Sequence, residues 1–160
     1  MPVETIGWRG SAVRIIDQTL LPRHEVYLDL ENVESVAEAI RSLRVRGAPA
    51  IGIAAAMGVV LSAQLYPGKD RDGFIKHVSE DIELLGTTRP TAVNLFWALK
   101  RMKNQLDRPA ESVTGMRKRL VAEAEKILSE DKKMCREIGK QGEVLLKDGM
   151  DDLSAAIDAA

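Results

Sequence analysis

This chain of 160 residues holds only one cysteine, Cys135, and two histidines, His24 and His77. A lone thiol cannot close an intramolecular disulfide, which points to a reducing, cytoplasmic setting. The histidines are far apart, and no Cys/His/carboxylate spacing suggests a metal site; no cofactor is expected either. Cys135 sits in a charged run, Lys132-Lys133-Met134-Cys135-Arg136-Glu137, with no base marked beside it, and reads as a bystander. Aromatic residues make up only 4%, and Trp8 and Trp97 read as core or interface anchors rather than stacking platforms. Charge of one sign is also missing, since the formal net charge is −1. No global field then draws the chain to nucleic acid or to an anionic membrane. The basic clusters, Arg41/Arg44/Arg46 and Arg117-Lys118-Arg119, lie among acids and read as solvated helix faces. The first residues show no basic stretch followed by an apolar core and a small-residue cleavage site, so secretion is not expected, and no repeat or low-complexity block is seen.

What is there is the composition of a folded domain: 45% hydrophobic and 29% charged residues. Residues 1–31 read as a small antiparallel sheet. Val13-Arg14-Ile15-Ile16 is β-branched, Val26, Leu28 and Leu30 alternate with polar neighbours, and Gly10-Ser11 and Leu21-Pro22 supply breaks. From residue 32 the period becomes helical. Asn32 is a credible N-cap for a stripe of Val33, Val36, Ala37, Ile40 and Leu43. Residues 47–68 carry no charge, long enough to raise a membrane span. Their Ala and Gly content, with Pro49 at the start and Pro67-Gly68 at the end, favours a buried, closely packed helix instead. A third helix is expected over about 72–85. A fourth is expected to begin at Pro90, with Ala92, Leu95, Phe96, Leu99, Met102 and Leu106 on one face. One or two more should cover 110–147, with Met134, Ile138, Gln141 and Leu145 at helical spacing and with Gly139 and Gly142 weakening the run. The fold class is therefore α+β, mostly α, with a small N-terminal antiparallel sheet followed by a helical bundle.

Two arginines stand just ahead of proline-marked helix starts. Arg46 opens Arg46-Gly47-Ala48-Pro49, and Arg89 opens Arg89-Pro90-Thr91-Ala92-Val93-Asn94. Proline suits the first helical turn, and the residue before it is pushed out of the α region, leaving its side chain free. Unpaired N–H groups and the helix dipole make such ends receptive to anions, and a guanidinium adds a fork of donors matched to phosphate or carboxylate. Gly47 would let the backbone approach a ligand closely. The bland alternatives are a surface ion pair for Arg46, packing for the glycines and an ordinary loop for Arg89. Asn94, one turn into its helix, reads as exposed or locally bonded.

The run Arg44-Val45-Arg46-Gly47-Ala48-Pro49-Ala50-Ile51-Gly52 resembles the motif of the methylthioribose-1-phosphate isomerases, in the initiation-factor-2B-like superfamily. Asp17-Gln18-Thr19-Leu20-Leu21-Pro22, Thr88-Arg89-Pro90-Thr91-Ala92-Val93-Asn94-Leu95 and Ile138-Gly139 to Lys147-Asp148-Gly149 also agree with the family in order and spacing, so the resemblance covers residues 6 to about 150. It implies isomerisation of 5-methylthioribose 1-phosphate to 5-methylthioribulose 1-phosphate in methionine salvage. The phosphate would be held by Arg46 and Arg89 and by backbone at Gly47 and Ala48. It implies a phosphorylated pentose as substrate. The family's catalytic cysteine lies in a His-Cys-Asn segment just beyond the Lys-Asp-Gly stretch, and its aspartate in a Rossmann-like second domain. Here no His-Cys pair occurs, and residues 151–160 form an atypical tail after a 1–150 N-terminal domain. No catalytic residue is thus assigned, and the chain is expected to be the N-terminal, inactive part of the isomerase, with the second domain absent. The other reading is a non-catalytic initiation-factor-2B-like module binding a sugar phosphate or a protein partner. Apolar surface exposed where a second domain would dock predicts self-association as a homodimer.

Overall fold

In the computed structural model, residues 5–109 and 112–143 are described. Three short strands, β1 (Ile6–Arg9), β2 (Ala12–Ile16) and β3 (Tyr27–Leu30), pair antiparallel in the order β1-β2-β3. Gly10, with φ of 59°, begins the two-residue loop that pairs Arg9 with Ala12. Val13, Ile15 and Ile16 are buried, while Arg14 faces Asp29 across the ladder and grips its carboxylate with two bonds of 2.7 and 2.8 Å.

Helix α1 (Val33–Arg41) starts with a capping box: Asn32 Oδ1 accepts from Ser35 N at 2.8 Å, and Ser35 Oγ accepts from Asn32 N. Val33, Val36, Ala37 and Ile40 are buried as their spacing indicates, but Leu43 is not. The helix stops at Arg41 and Leu43 takes the left-handed conformation, φ 63°, that ends many helices. Leu43 N donates to Ile40 O and Arg44 N to Ala39 O, the paired bonds of a Schellman stop, with leucine where glycine is usual.

Helix α2 (Ala48–Leu65) is apolar all round because it is surrounded: residues 51–63 are all buried. It is long and apolar enough to cross a membrane, yet most of it is covered within the fold by α1, α3 (Arg71–Gly86) and α4 (Val93–Leu106). Close approach to α4 is possible because position 52 is glycine. A Cβ there would lie 2.8 Å from the backbone oxygen of Asn94 and 3.4 Å from Ala98 Cβ. At its far end Arg117 donates to the carbonyls of Ala63 and Tyr66, satisfying two groups the helix leaves open. α3 is capped by Asp70, which accepts from Gly73 N at 2.8 Å.

The start of α4 differs from expectation. Pro90 lies outside the helix, in a turn closed by Ala92 N donating to Arg89 O at 3.0 Å, and the helix begins at Val93. Its buried face is Leu95, Ala98, Leu99, Met102 and Leu106; Phe96 and Trp97 are both nearly half exposed. Helix α5 (Val113–Glu143) is one uninterrupted helix that includes Gly139 and Gly142. By compactness the chain divides into two units, one ending at Ile127 and one beginning at Leu128. In the first, Val113, Met116, Leu120, Ala124 and Ile127 are buried; in the second, Met134 and Ile138 are exposed. Leu145, Lys147-Asp148-Gly149 and the 151–160 tail lie outside the described residues. The fold is α+β and mostly α, a small N-terminal antiparallel sheet followed by helices.

Candidate functional site

Two of the first four helices begin with a side-chain cap and two do not. Asn32 and Asp70 cap α1 and α3. Gly47 and Ala92, at the N-caps of α2 and α4, offer no side-chain acceptor. The first-turn amides of Ala48 and Ala50, and of Val93 and Asn94, therefore have no intrahelical or capping acceptor, and Pro49 has no N–H to satisfy. Both uncapped ends open on one cleft of about 350 Å³. Gly47, Ala48 and Ile51 form one wall; Arg89, Thr91 and the first residues of α4 form the other. That volume is at the small end of the range for metabolite sites. Gly52 brings the two ends together by letting α2 and α4 pack closely one turn further in.

Gly47 has φ of 91° and ψ of 132°, a conformation that any Cβ would strain, so glycine is required for the chain to enter α2 along this path. Arg89 is half-buried in the turn before α4 and has no carboxylate partner among the described residues. Pro90 takes the second position of that turn, where its fixed φ belongs. Thr88, behind it, is buried and donates to Leu85 O at 2.6 Å, anchoring the turn to the end of α3. Two dipole ends, free amides and an unpaired guanidinium make the cleft suited to a small anion. No carboxylate, cysteine or histidine lines it, so the described lining offers no general acid or base.

Of the four residues singled out in the sequence, Gly47, Ala48 and Arg89 thus share one cleft. Arg46 is exposed and outside the lining; its Nε donates to Leu43 O at 3.2 Å, closing the side chain onto its own loop. Its terminal nitrogens have no partner among the described residues. Asn94, read as exposed or locally bonded, is half-buried on the cleft. Among the described residues no group of His, Cys, Asp and Glu is gathered as a metal site would need.

Sequence reasoning missed the ion pair behind the loop. Asp17 is only 1% exposed, and its carboxylate accepts from Thr19 N at 3.0 Å, from Thr19 Oγ1 at 2.6 Å and from Arg44 Nη1. Arg44, taken as a solvated cation, also donates to Glu38 at 3.1 Å. Burial alone would raise the Asp17 pKa, but the two Thr19 bonds and the Arg44 guanidinium together hold it below the ordinary carboxylate value of 3.8. The local signal was legible, because an aspartate with a hydroxyl residue two positions on favours such a side-chain turn. Its long-range partner was not. Since the folded-state pKa is the lower one, the pair's contribution is present above pH about 4 and lost as pH falls through the folded value. Asp17→Asn should therefore lower stability at neutral pH by about 2 kcal/mol, discounted because Arg44 is one-third exposed, and flatten the acid limb of the stability curve. An unchanged slope in urea titrations between pH 2 and 7 would contradict that.

The sequence profile of the initiation factor 2 subunit family matches residues 44–153, which include both helix ends of the cleft. The chain belongs to the initiation factor 2 subunit family. Its relatives in that family include enzymes and a translation factor. It is 48% identical over 150 residues to the methylthioribose-1-phosphate isomerase of Citrifermentans bemidjiense, covering 93% of this chain and 43% of the relative. It is 50% identical to the 5-deoxyribose 1-phosphate isomerase of Petrotoga mobilis, covering 94% and 43%. The crystal structure of 5-methylthioribose 1-phosphate isomerase from Pyrococcus horikoshii matches with a TM-score of 0.74 at 40% identity, over 79% of this chain and 36% of that one. That of translation initiation factor eIF-2B, subunit delta, from A. fulgidus matches with 0.85 at 39% identity, over 92% and 43%. The chain thus spans less than half the length of these relatives.

Proposed function

We propose that these residues form the phosphate-holding part of an aldose–ketose isomerase that converts 5-methylthioribose 1-phosphate to 5-methylthioribulose 1-phosphate, a step of methionine salvage. The observation that carries this reading is the cleft between the uncapped starts of α2 and α4, with Arg89 unpaired in its wall. A C1 phosphate would accept from the amides of Ala48, Val93 and Asn94 and from the Arg89 guanidinium. Arg46 would add a second guanidinium by releasing Leu43 O, at the cost of one exposed bond. The names of the relatives support a pentose 1-phosphate as the ligand: two act on 5-methylthioribose 1-phosphate and one on 5-deoxyribose 1-phosphate, which differ at C5 and share the phosphate end.

Binding and chemistry are divided in this reading. Among the described residues no carboxylate, cysteine or histidine lines the cleft, and the 160 residues contain no His-Cys pair. They would fix and orient the phosphate while acid–base groups elsewhere in a full-length isomerase act on C1 and C2. The expected result is that this chain binds 5-methylthioribose 1-phosphate but not 5-methylthioribose in calorimetry, with no ketose detected. Ketose formation by this chain alone would overturn the division, and equal binding of the two sugars would overturn the phosphate assignment. A second reading, a non-catalytic module related to the eIF-2B delta subunit, is favoured by the longer backbone match to that structure, over 92% of this chain against 79%. Binding of the sugar phosphate would be common to both. Failure to restore turnover when the chain is fused ahead of the remaining part of an isomerase relative would favour the module.

A further inference from the structure

The connection from α1 to α2 is also held from its other side, by residues that the phosphate-holding reading does not use. We infer that Asp17 and Gln18, just after β2, are positioning residues for the cleft: they fix residues 44–47 so that the first amides of α2 face the ligand. The inference rests on the proposed phosphate site and adds the residues that shape it.

The bonds run in a consistent direction. Gln18 N donates to Arg44 O at 3.1 Å, and Gln18 Nε2 donates to Arg46 O at 3.3 Å. One glutamine thus holds two carbonyls of the connection, the second immediately before Gly47. Asp17 fixes Gln18 in turn: its N–H donates to Val26 O at 2.8 Å, and its buried carboxylate holds Thr19 on one side and Arg44 on the other. From the α1 side, Arg44 N and Val45 N both donate to Ala39 O, and the Val45 side chain is buried. Leu43 keeps its left-handed φ of 63° in the same stretch, a conformation that persists only where the surroundings over-determine it. Every residue from 43 to 46 is therefore tied by its backbone, and Gly47, whose carbonyl accepts from Ile51 N at 3.0 Å, carries that fixed stretch directly into α2 at the cleft.

A buried ion pair is a poor device for stability alone, because desolvation offsets its attraction. It is a good device for holding one geometry, and here the geometry held is that of a loop ending on the cleft. Gln18 gives the cleaner test because it is only half-buried and its side-chain bond is exposed. Gln18→Ala and Gln18→Met, the second keeping volume without the amide donor, should shift the melting temperature by only about 3 °C. In ¹⁵N relaxation the order parameters of Gly47 and Ala48 should fall from about 0.85 toward 0.6. Affinity for 5-methylthioribose 1-phosphate, read by NMR titration of the 160-residue chain, should drop about fivefold to tenfold. Retained order at Gly47 and Ala48 in both variants, or wild-type affinity despite lost order, would overturn the inference. If the wild-type chain binds no sugar phosphate while the variants still loosen Gly47 and Ala48, the phosphate reading fails and the clamp stands.

Discussion

Gly52→Val should lower stability by about 3 kcal/mol, seen as a fall of about 10 °C in melting temperature. A Cβ at position 52 meets the backbone oxygen of Asn94 at 2.8 Å, which real Cβ contacts do not tolerate. That atom belongs to the first turn of α4, so it cannot swing aside as a side chain would; the whole helix end must move. Valine adds two further methyl groups to the same crowded seam, beside Ala98. It also sacrifices rotamer freedom against the preceding turn. Two other glycines show that the effect belongs to this contact. At Gly58 an added Cβ meets Val36 Cγ1 and Leu85 Cδ1 at 3.1 and 3.3 Å, side-chain atoms that can give way, so Gly58→Ala should cost less. At Gly115 the nearest atom is Ser112 Oγ at 3.5 Å, and Gly115→Ala should stabilise by up to about 1 kcal/mol through helix propensity. Because the seam sets the spacing of the two uncapped helix ends, the milder Gly52→Ala should also weaken ligand binding. A melting temperature for Gly52→Val within two degrees of wild type would mean that α2 and α4 do not meet there.

Arg89→Ala should reduce affinity for 5-methylthioribose 1-phosphate about 10- to 100-fold, the loss of one or two charge-assisted hydrogen bonds worth roughly 1.5–3 kcal/mol. Its effect on stability should be small, since Arg89 is tied to no carboxylate among the described residues and Pro90 and Thr88 hold the turn without it. Arg89→Lys keeps the charge but loses the planar fork, and should recover only part of the loss. Arg46→Ala should cost less than Arg89→Ala, because Arg46 lies outside the cleft lining and must first release Leu43 O. Equal affinities for wild type and Arg89→Ala would remove Arg89 from the site.

Much of this fold was legible because its elements carry their own punctuation. Gly10, Asn32 and Pro67-Gly68 mark a hairpin, a helix start and a helix stop, and each stands where the structure has one. The start of α4 was not legible, for a specific reason. Proline with φ near −65° suits both the first position of a helix and the second position of a turn, so Pro90 alone does not separate them. The buried face of α4 is as expected at Leu95, Leu99, Met102 and Leu106, but Phe96 is nearly half exposed and Ala98 faces the core instead. Apolar bulk was the wrong guide there, because glycine at 52 brings α2 so close that only a small side chain fits opposite. Leu43 fitted the helical stripe of α1 by spacing yet lies beyond a stop that needed a left-handed residue, a demand invisible without a glycine to announce it. Helix-end chemistry singled out Arg46, Gly47 and Arg89, the family resemblance added Ala48, and Gly47, Ala48 and Arg89 line one cleft. Asp17 was missed as a partner of Arg44 because the residues that clamp the loop are separated from it by β3 and α1 in sequence.

The most direct test of the proposed site is an amide-resolved NMR titration of this chain with 5-methylthioribose 1-phosphate. Saturable shifts concentrated at Gly47, Ala48, Val93 and Asn94, and absent with the dephosphorylated sugar, are the expected result. Shifts confined to other parts of the chain, or none at millimolar ligand, would contradict a phosphate site at the paired starts of α2 and α4.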